Sequence, residues 1–146
     1  MPGDHWLENF VPYLLYRSTN GLNRLLQARL RKTGINLTRW RVLSVLKAYG
    51  ALNIGEIATA TAMEQPTLSR VVDQLEAEKL VTRRTARVDS RFVYVDLTAA
   101  GEKLVTTMFP AMQNHQERAL RGLTAADIKT LRRLLNVILQ NIEAAD

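Results

Sequence analysis

The spacing of Pro66, Thr67, Arg70, Asp73 and Gln74 puts these residues on one side of a helix whose opposite side carries Leu68, Val71, Val72 and Leu75, with Ser69 at the flank. Such a face offers hydrogen bonds rather than bare charge. Base edges in a DNA major groove are read by groups of this kind: arginine on guanine, glutamine on adenine, a threonine methyl against thymine. The groove admits one α-helix. Alone, the same residues would describe an ordinary solvated face, so their neighbours decide the reading.

The neighbours are basic. Arg83, Arg84, Arg87 and Arg91 fall within one predicted hairpin against the single acid Asp89. Phosphate groups would relieve the repulsion among four guanidinium groups. Arg91, near the tip, suits the enhanced negative potential of a narrow minor groove, and Asp89 two residues earlier can hold its side chain in position. A purely structural Asp89–Arg91 pair at a surface would contribute at most about 1 kcal/mol. Catalytic chemistry is poorly provided for. His5 and His115 are far apart in the chain, and no P-loop, nucleophile elbow, metal-ligand cluster or cysteine is present. The expectation is a protein that is not an enzyme and has no catalytic residues, metal site or cofactor.

Several elements must position these groups. Phe10, Val11, Leu14, Leu15, Leu22, Leu25, Leu26 and Leu30 predict one long amphipathic helix, with Pro12 in its first turn or bending it and Gly34 as a stop. A second helix is expected with Thr38 as cap, Trp40, Leu43, Leu46 and Tyr49 on one face, and Gly50 just past its end. Asn53 to Glu56 has capping-box spacing before a short helix carrying Ile54, Ile57 and Ala58. Thr61 to Glu64 interrupts the pattern, and Pro66 restarts it at a first helical position. That is a helix-turn-helix. VTRR, the polar tip TARVDS and RFVYVDL then predict a β-hairpin, a wing, in which Val93, Val95 and Leu97 alternate with Phe92, Tyr94 and Asp96. Thr98 caps a further helix through Leu104, Val105, Met108 and Met112 toward Leu120, with a kink expected at Pro110 and an end at Gly122. Thr124 to Asp127 resembles another capping box, before a last helix striped by Ile128, Leu131, Leu134, Leu135, Ile138 and Ile142.

The chain has 146 residues, 47% of them hydrophobic, enough for a compact protomer. Its formal net charge of +6 and pI near 10.1 favour a polyanionic partner. The absence of cysteine points to a reducing compartment. With no apolar run of membrane-spanning length and acids near the N-terminus, a cytoplasmic location is expected.

The segment DSRFVYVDLTAAG, Asp89 to Gly101, is similar to the signature of the multiple antibiotic resistance regulator (MarR) family: an aspartate, an arginine two residues on, a hydrophobic strand, then Leu-Thr and a glycine. PTLSRVVDQLEAEKLVTRR resembles that family's recognition helix and first wing strand, and the likeness covers nearly the whole chain. It implies a mainly α, winged helix-turn-helix protomer over 1–146, with the DNA-binding part at 38–98. Segments 1–37 and 99–146 supply dimerisation helices that intertwine with those of a second copy. It also places Gln65, Thr67, Ser69 and Arg70 at the major groove of double-stranded DNA and Arg91 at the minor groove. Lys79 departs from the pattern, standing where the family usually has glycine. A left-handed conformation there would cost lysine about 1 kcal/mol.

Dimerisation also follows from the terminal helices, whose apolar stripes a small winged helix cannot cover, and a two-fold protein suits a pseudo-palindromic operator. The family commonly releases DNA when a small, often aromatic, molecule enters a cleft between its dimerisation and DNA-binding parts. Tyr13, Tyr16, Arg17, Asn20, Trp40, Arg41, Met108, Met112 and His115 could line such a cleft. Arg17 or Arg41 would suit a carboxylate or an acyl-coenzyme A. Each has a plainer role open to it: Trp40 in the core, the methionines filling gaps, Arg41 on phosphate or solvent. Repression is the family default. A ligand-independent or architectural DNA-binding protein would share the groove-reading surface but lack the cleft. A basic amphipathic protein on membranes would carry its charge along one helix face, whereas the basic residues here cluster at the wing.

Overall fold

The computed structural model describes residues 3–85, 89 and 91–145, and it divides into two compact units, Met1–Ala111 and Met112–Asp146. The first unit opens with a 3-10 turn, Trp6–Asn9, in which the Trp6 and Phe10 rings stand 5.4 Å apart. Helix α1 (Val11–Leu30) follows with Pro12 in its first turn, where a missing N–H leaves no helical bond unmade. A second 3-10 turn, Arg31–Thr33, continues α1, and Gly34 stops it at φ 75°.

Helix α2 (Leu37–Tyr49) differs from expectation at both ends. Asn36, rather than Thr38, is its cap: Asn36 Oδ1 accepts from the Arg39 N–H at 2.9 Å, and the Thr38 hydroxyl donates to the same oxygen. The helix therefore starts earlier, and Leu37, Trp40, Val42, Leu43 and Leu46 form its buried face. Tyr49 is 72% exposed. Nine residues beyond Trp40 it has turned to the opposite side, because steps of three drift away from a 3.6-residue repeat. Gly50 ends the helix as expected.

Asn53 and Glu56 make both bonds of the capping box that opens α3 (Ile54–Thr61). Ala62, at φ 54°, turns the chain into α4 (Gln65–Ala77), whose first residue is Gln65, so Pro66 occupies the second position. Leu68, Val71, Val72 and Leu75 are all buried against α2, α3 and the wing. The wing has three strands rather than two: β1 (Leu52–Asn53) pairs with β3 (Val93–Leu97), which pairs with β2 (Val81–Thr85), all antiparallel. A two-residue strand carries no periodicity, so sequence alone gives no sign of β1.

A tight junction ties α4 to helix α5 (Ala99–Ala119). After α4 the Leu80 N–H bonds to the Leu75 carbonyl and the Lys79 N–H to that of Glu76, the paired bonds of a Schellman cap. Lys79 holds the left-handed position at φ 62°, so the turn keeps its geometry although glycine is absent. The Thr98 hydroxyl donates to the Lys79 carbonyl at 2.7 Å and accepts from the Gly101 N–H at 3.1 Å, while the Thr98 N–H donates to the Leu80 carbonyl. A Cβ on Gly101 would lie 2.1 Å from that carbonyl oxygen. α5 stays helical through Pro110.

The second unit holds the rest of α5, a turn with Gly122 at φ 91°, and α6 (Ala125–Ala144). Thr124 and Asp127 form the expected capping box, and the backbone hydrogen bond from Thr124 holds the Asp127 carboxyl below its usual range. No residue of α6 is buried, and Leu134, Val137, Leu139 and Ile142 each expose over two-fifths of their surface.

Two substitutions at the α4–α5 junction should move stability in opposite directions. Lys79→Gly relieves a left-handed lysine and should raise unfolding stability by about 1 kcal/mol. Gly101→Ala drives a methyl into backbone and should cost about 1–3 kcal/mol or more. Urea denaturation of the two variants checks both; a loss in Lys79→Gly would mean that the turn is not held left-handed.

Candidate nucleic-acid interface and effector groove

Helix α4 presents Gln65, Pro66, Thr67, Arg70, Asp73 and Gln74 to solvent, with Ser69 half-buried. The stripe beneath fixes which side faces out, since rotating the helix would expose four buried aliphatic side chains. Thr67, Arg70 and Gln74 therefore form one row of donors and acceptors, with Gln65 exposed at the helix's first position.

The wing arginines are not the unopposed cluster that the hairpin sequence suggests. Arg83 NH2 donates to Asp73 Oδ1 at 2.6 Å, its NH1 to Glu76 Oε1 at 3.0 Å, and its backbone N–H to Glu76 Oε2 at 2.9 Å. Burial pulls the Arg83 guanidinium down, but the bonds to Asp73 and Glu76 outweigh it, and its pKa ends above the ordinary value. The cause is strand periodicity. Arg83 lies two residues after buried Val81, hence on the face turned to α4, and it pairs across the sheet with buried Val95. Arg84 takes the other face, opposite Tyr94, and pairs diagonally with Asp96. Charges counted along the hairpin miss Asp73 and Glu76, which come from the preceding helix. The alternation Val81–Arg83 was the available signal.

Arg91 behaves as its spacing from Asp89 predicts. Its Nε and NH2 bond to the Asp89 carboxylate at 2.7–3.1 Å, and its N–H donates to Asp89 Oδ1 at 3.0 Å. The arginine side chain is still 86% exposed. Three donor groups thus aim the guanidinium while leaving it open to a ligand. Arg87 lies outside the described residues.

A groove of about 650 Å³ runs along α1, lined by Tyr16, Arg17, Asn20, Asn23, Arg24, Gln27 and Leu37. Three of the expected effector residues, Tyr16, Arg17 and Asn20, line it. Arg41 NH2 reaches its edge and donates to Asn23 Oδ1 at 2.9 Å. The Arg17 guanidinium sits 5.8 Å from the centre of the half-buried Tyr13 ring. Trp40 and Met108 do not line the groove: both are core side chains, 8% and 4% exposed. Their apolar bulk fills the first unit, as the plainer reading of each allowed. Met112 and His115 belong to the second unit. Asn23, Arg24 and Gln27 are groove residues that the sequence reading missed; their spacing from Asn20 along one helix face could have found them.

Two predictions arise here. The Asp89 carboxyl is held below its usual range, chiefly by the side-chain hydrogen bonds from Arg91 and then by its backbone N–H. Because the folded value is depressed, the clamp's contribution is complete above the ordinary carboxylate pKa and is lost only as pH falls through the lower folded value. A carbon-13 titration of Asp89 should show that low midpoint, returning toward normal in Arg91→Ala. For Arg83, removal of the fork that holds β2 on α4 should cost on the order of 1 kcal/mol. Asp73→Asn in the Arg83→Ala background should add little in thermal unfolding, since both act through one contact.

Comparison with known proteins accords with this geometry. Residues 33–91 match the sequence profile of the MarR family. The HTH-type transcriptional repressor IacR of Pseudomonas putida is 29% identical over 136 residues, covering 93% of this chain and 81% of that protein. The structure of BpsR from Bordetella bronchiseptica, whose DNA binding is regulated by 6-hydroxynicotinic acid, superimposes with a TM-score of 0.78 at 28% identity, covering 88% of this chain and 97% of that one. The crystal structure of a MarR family transcriptional regulator from Silicibacter pomeroyi superimposes with a TM-score of 0.89 at 32% identity, covering 96% of this chain and 97% of the other. A recognition-type helix over a buried stripe, a clamped wing arginine and this likeness over the full chain agree: the protein belongs to the MarR family of transcriptional regulators.

Proposed function

We propose that the chain is a cytoplasmic, non-catalytic, homodimeric repressor that binds a pseudo-palindromic double-stranded operator and lets go when a small aromatic or acyl-thioester effector occupies the α1 groove. The observation that carries this reading is the exposed face of Thr67, Arg70 and Gln74 on α4, with Gln65 at the helix's start, together with an exposed Arg91 aimed by Asp89. The helix supplies base readout in the major groove and the wing supplies a cation for the minor groove. Arg83, engaged with Asp73 and Glu76, keeps the wing at a set angle to α4, whereas Arg84, 64% exposed, can exchange Asp96 for a phosphate.

Dimerisation is supported by apolar surface. On α1, Phe10, Val11, Leu14, Leu22 and Leu25 are 36–54% exposed, and α6 exposes a second apolar stripe. In water such surface costs roughly 25 cal/mol per Å², and a second copy with the same faces would cover it. Segments 1–37 and 99–146 are then the dimerisation elements and 38–98 the DNA-binding part. Effector release is supported by the groove itself, an aromatic wall at Tyr16 with Arg17 and amide groups beside it. The regulation of the related BpsR by an aromatic acid, and the name of IacR as a repressor, point the same way.

The test is to select an operator from random duplexes and measure binding by fluorescence anisotropy. Arg91→Ala should cost about 1–3 kcal/mol of operator affinity with unfolding temperature unchanged. Asp89→Ala should cost less and overlap with it in the double variant. Arg70→Ala should weaken the operator more than scrambled DNA; equal losses would make Arg70 a phosphate contact. Light scattering should give a dimer at micromolar concentration, and a chain ending at Thr124 should neither dimerise nor bind the operator.

A further inference from the structure

Phe92 is a side chain that the fold leaves unused. It is 48% exposed, and along β3 burial begins only beyond it, with Val93 still open to solvent and Val95 fully covered. Among the described residues it stands against no other aromatic ring. A lone exposed phenylalanine calls for no explanation, but this one adjoins a cation that is both clamped and open. The Phe92 N–H donates to the Asp89 carbonyl at 3.1 Å, while the Asp89 carboxylate accepts from the Arg91 side chain and N–H. Asp89 thus fixes the backbone at the ring and the aim of the guanidinium together. A second exposed cation, Arg84, stands across the sheet from Tyr94, two residues after Phe92.

A partner for this surface must offer an apolar contact and room for cations within a residue of each other. An apolar protein face would have to draw both guanidinium groups out of water, a desolvation cost that one ring does not offset. A DNA minor groove offers both chemistries: phosphates at its rims and deoxyribose carbons along its walls. The Asp89–Arg91 pair is nearly neutral as a unit, so the negative potential of the groove acts on an aimed dipole rather than on a free charge. Charge alone gives such a pair little affinity, and an apolar contact beside it supplies what the pair lacks.

We propose that Phe92 is a DNA contact whose ring lies against the deoxyribose wall of the minor groove beside Arg91. This rests on the placing of Arg91 in that groove, argued above, and adds an uncharged contact to it. The ring also sheds water from the guanidinium, so the attraction between arginine and groove is screened less. Because the sugars are the same in every sequence, Phe92 contributes affinity and the seating of the wing rather than base choice.

The experiment takes the full chain and its selected operator, with Phe92→Ala and Phe92→Leu measured by anisotropy over a range of salt and by hydroxyl-radical footprinting, which reads whether each deoxyribose is covered. Phe92→Ala should lower affinity at least about five-fold, the size set by burying the exposed half of a phenylalanine, and Phe92→Leu should restore most of it. The slope of log affinity against log salt should stay unchanged in both, since an apolar contact releases no counterion, whereas Arg91→Ala should flatten it. Sugars covered by the unsubstituted chain should become cleavable in Phe92→Ala, with its unfolding temperature unchanged. Unaltered affinity and footprint in Phe92→Ala, or a loss of affinity that follows a lower unfolding temperature, would overturn the proposal. A shift from dimer to monomer in light scattering would assign the ring to a second copy instead, and vesicle flotation with phosphatidylglycerol that depends on Phe92 would assign it to lipid; either sinks the DNA contact. A chain that selects no operator overturns the DNA-binding reading itself, while operator binding indifferent to Phe92→Ala overturns only the role of the ring.

Discussion

The contact between the glycine at 101 and the carbonyl of Leu80 is the constraint on which the placing of the helix-turn-helix and wing depends. It leaves no room for a side chain, and it holds the start of α5 against the turn that ends α4. Thr98 locks the same junction from both sides, its hydroxyl donating to Lys79 and accepting from Gly101. The turn must be left-handed for these carbonyls to face Thr98, and Lys79 adopts that conformation despite its Cβ. A locally strained residue persists here because the surrounding hydrogen bonds over-determine it. The direction in which α4 leaves the core, and with it the exposed hydrogen-bonding face of that helix, follows from this junction.

Electrostatics divides the same surface into two kinds of cation. Arg83, Arg84 and Arg91 each have a carboxylate partner, so they contribute direction more than net charge. Arg83 is spent on holding the sheet to α4, and Arg91 is held by Asp89 while remaining open to solvent. Arg17, Arg24 and Arg31 enter no ion pair among the described residues, and they lie in the stretch 9–55, whose eight Lys and Arg against no acid carry the surplus that makes the protein basic. A steering field and a specific contact are thus supplied by different parts of the chain. This arrangement suits a protein that must tell one polyanion from another, since long-range attraction does not discriminate and geometry does.

The two terminal regions share a different constraint. Each has an apolar stripe broader than its own unit covers, and α6 has no buried residue at all. Helices of this kind owe their stability to packing rather than to intrinsic propensity, so their folding and any association are one process.

Much of the architecture is written locally. Capping boxes at Asn53–Glu56 and Thr124–Asp127, the stops at Gly34, Gly50 and Gly122, the stripe from Leu68 to Leu75 and the clamp of Asp89 on Arg91 all act within a few residues of chain, so sequence alone determined them. The hydrogen-bonding face of α4 was legible for the same reason: a helical period and four aliphatic residues leave one side to solvent. What the tertiary structure decided were the pairings across elements. Only folding brings Asp73 and Glu76 under Arg83, adds β1 to the edge of β3, sends Trp40 and Met108 into the core, and sets Leu37 beside Arg17 and Arg24 in the groove along α1. Sequence spacing measures distance along the chain, while charge neutralisation, burial and cavity shape depend on distance through space, and the two coincide only inside a single helix, turn or strand.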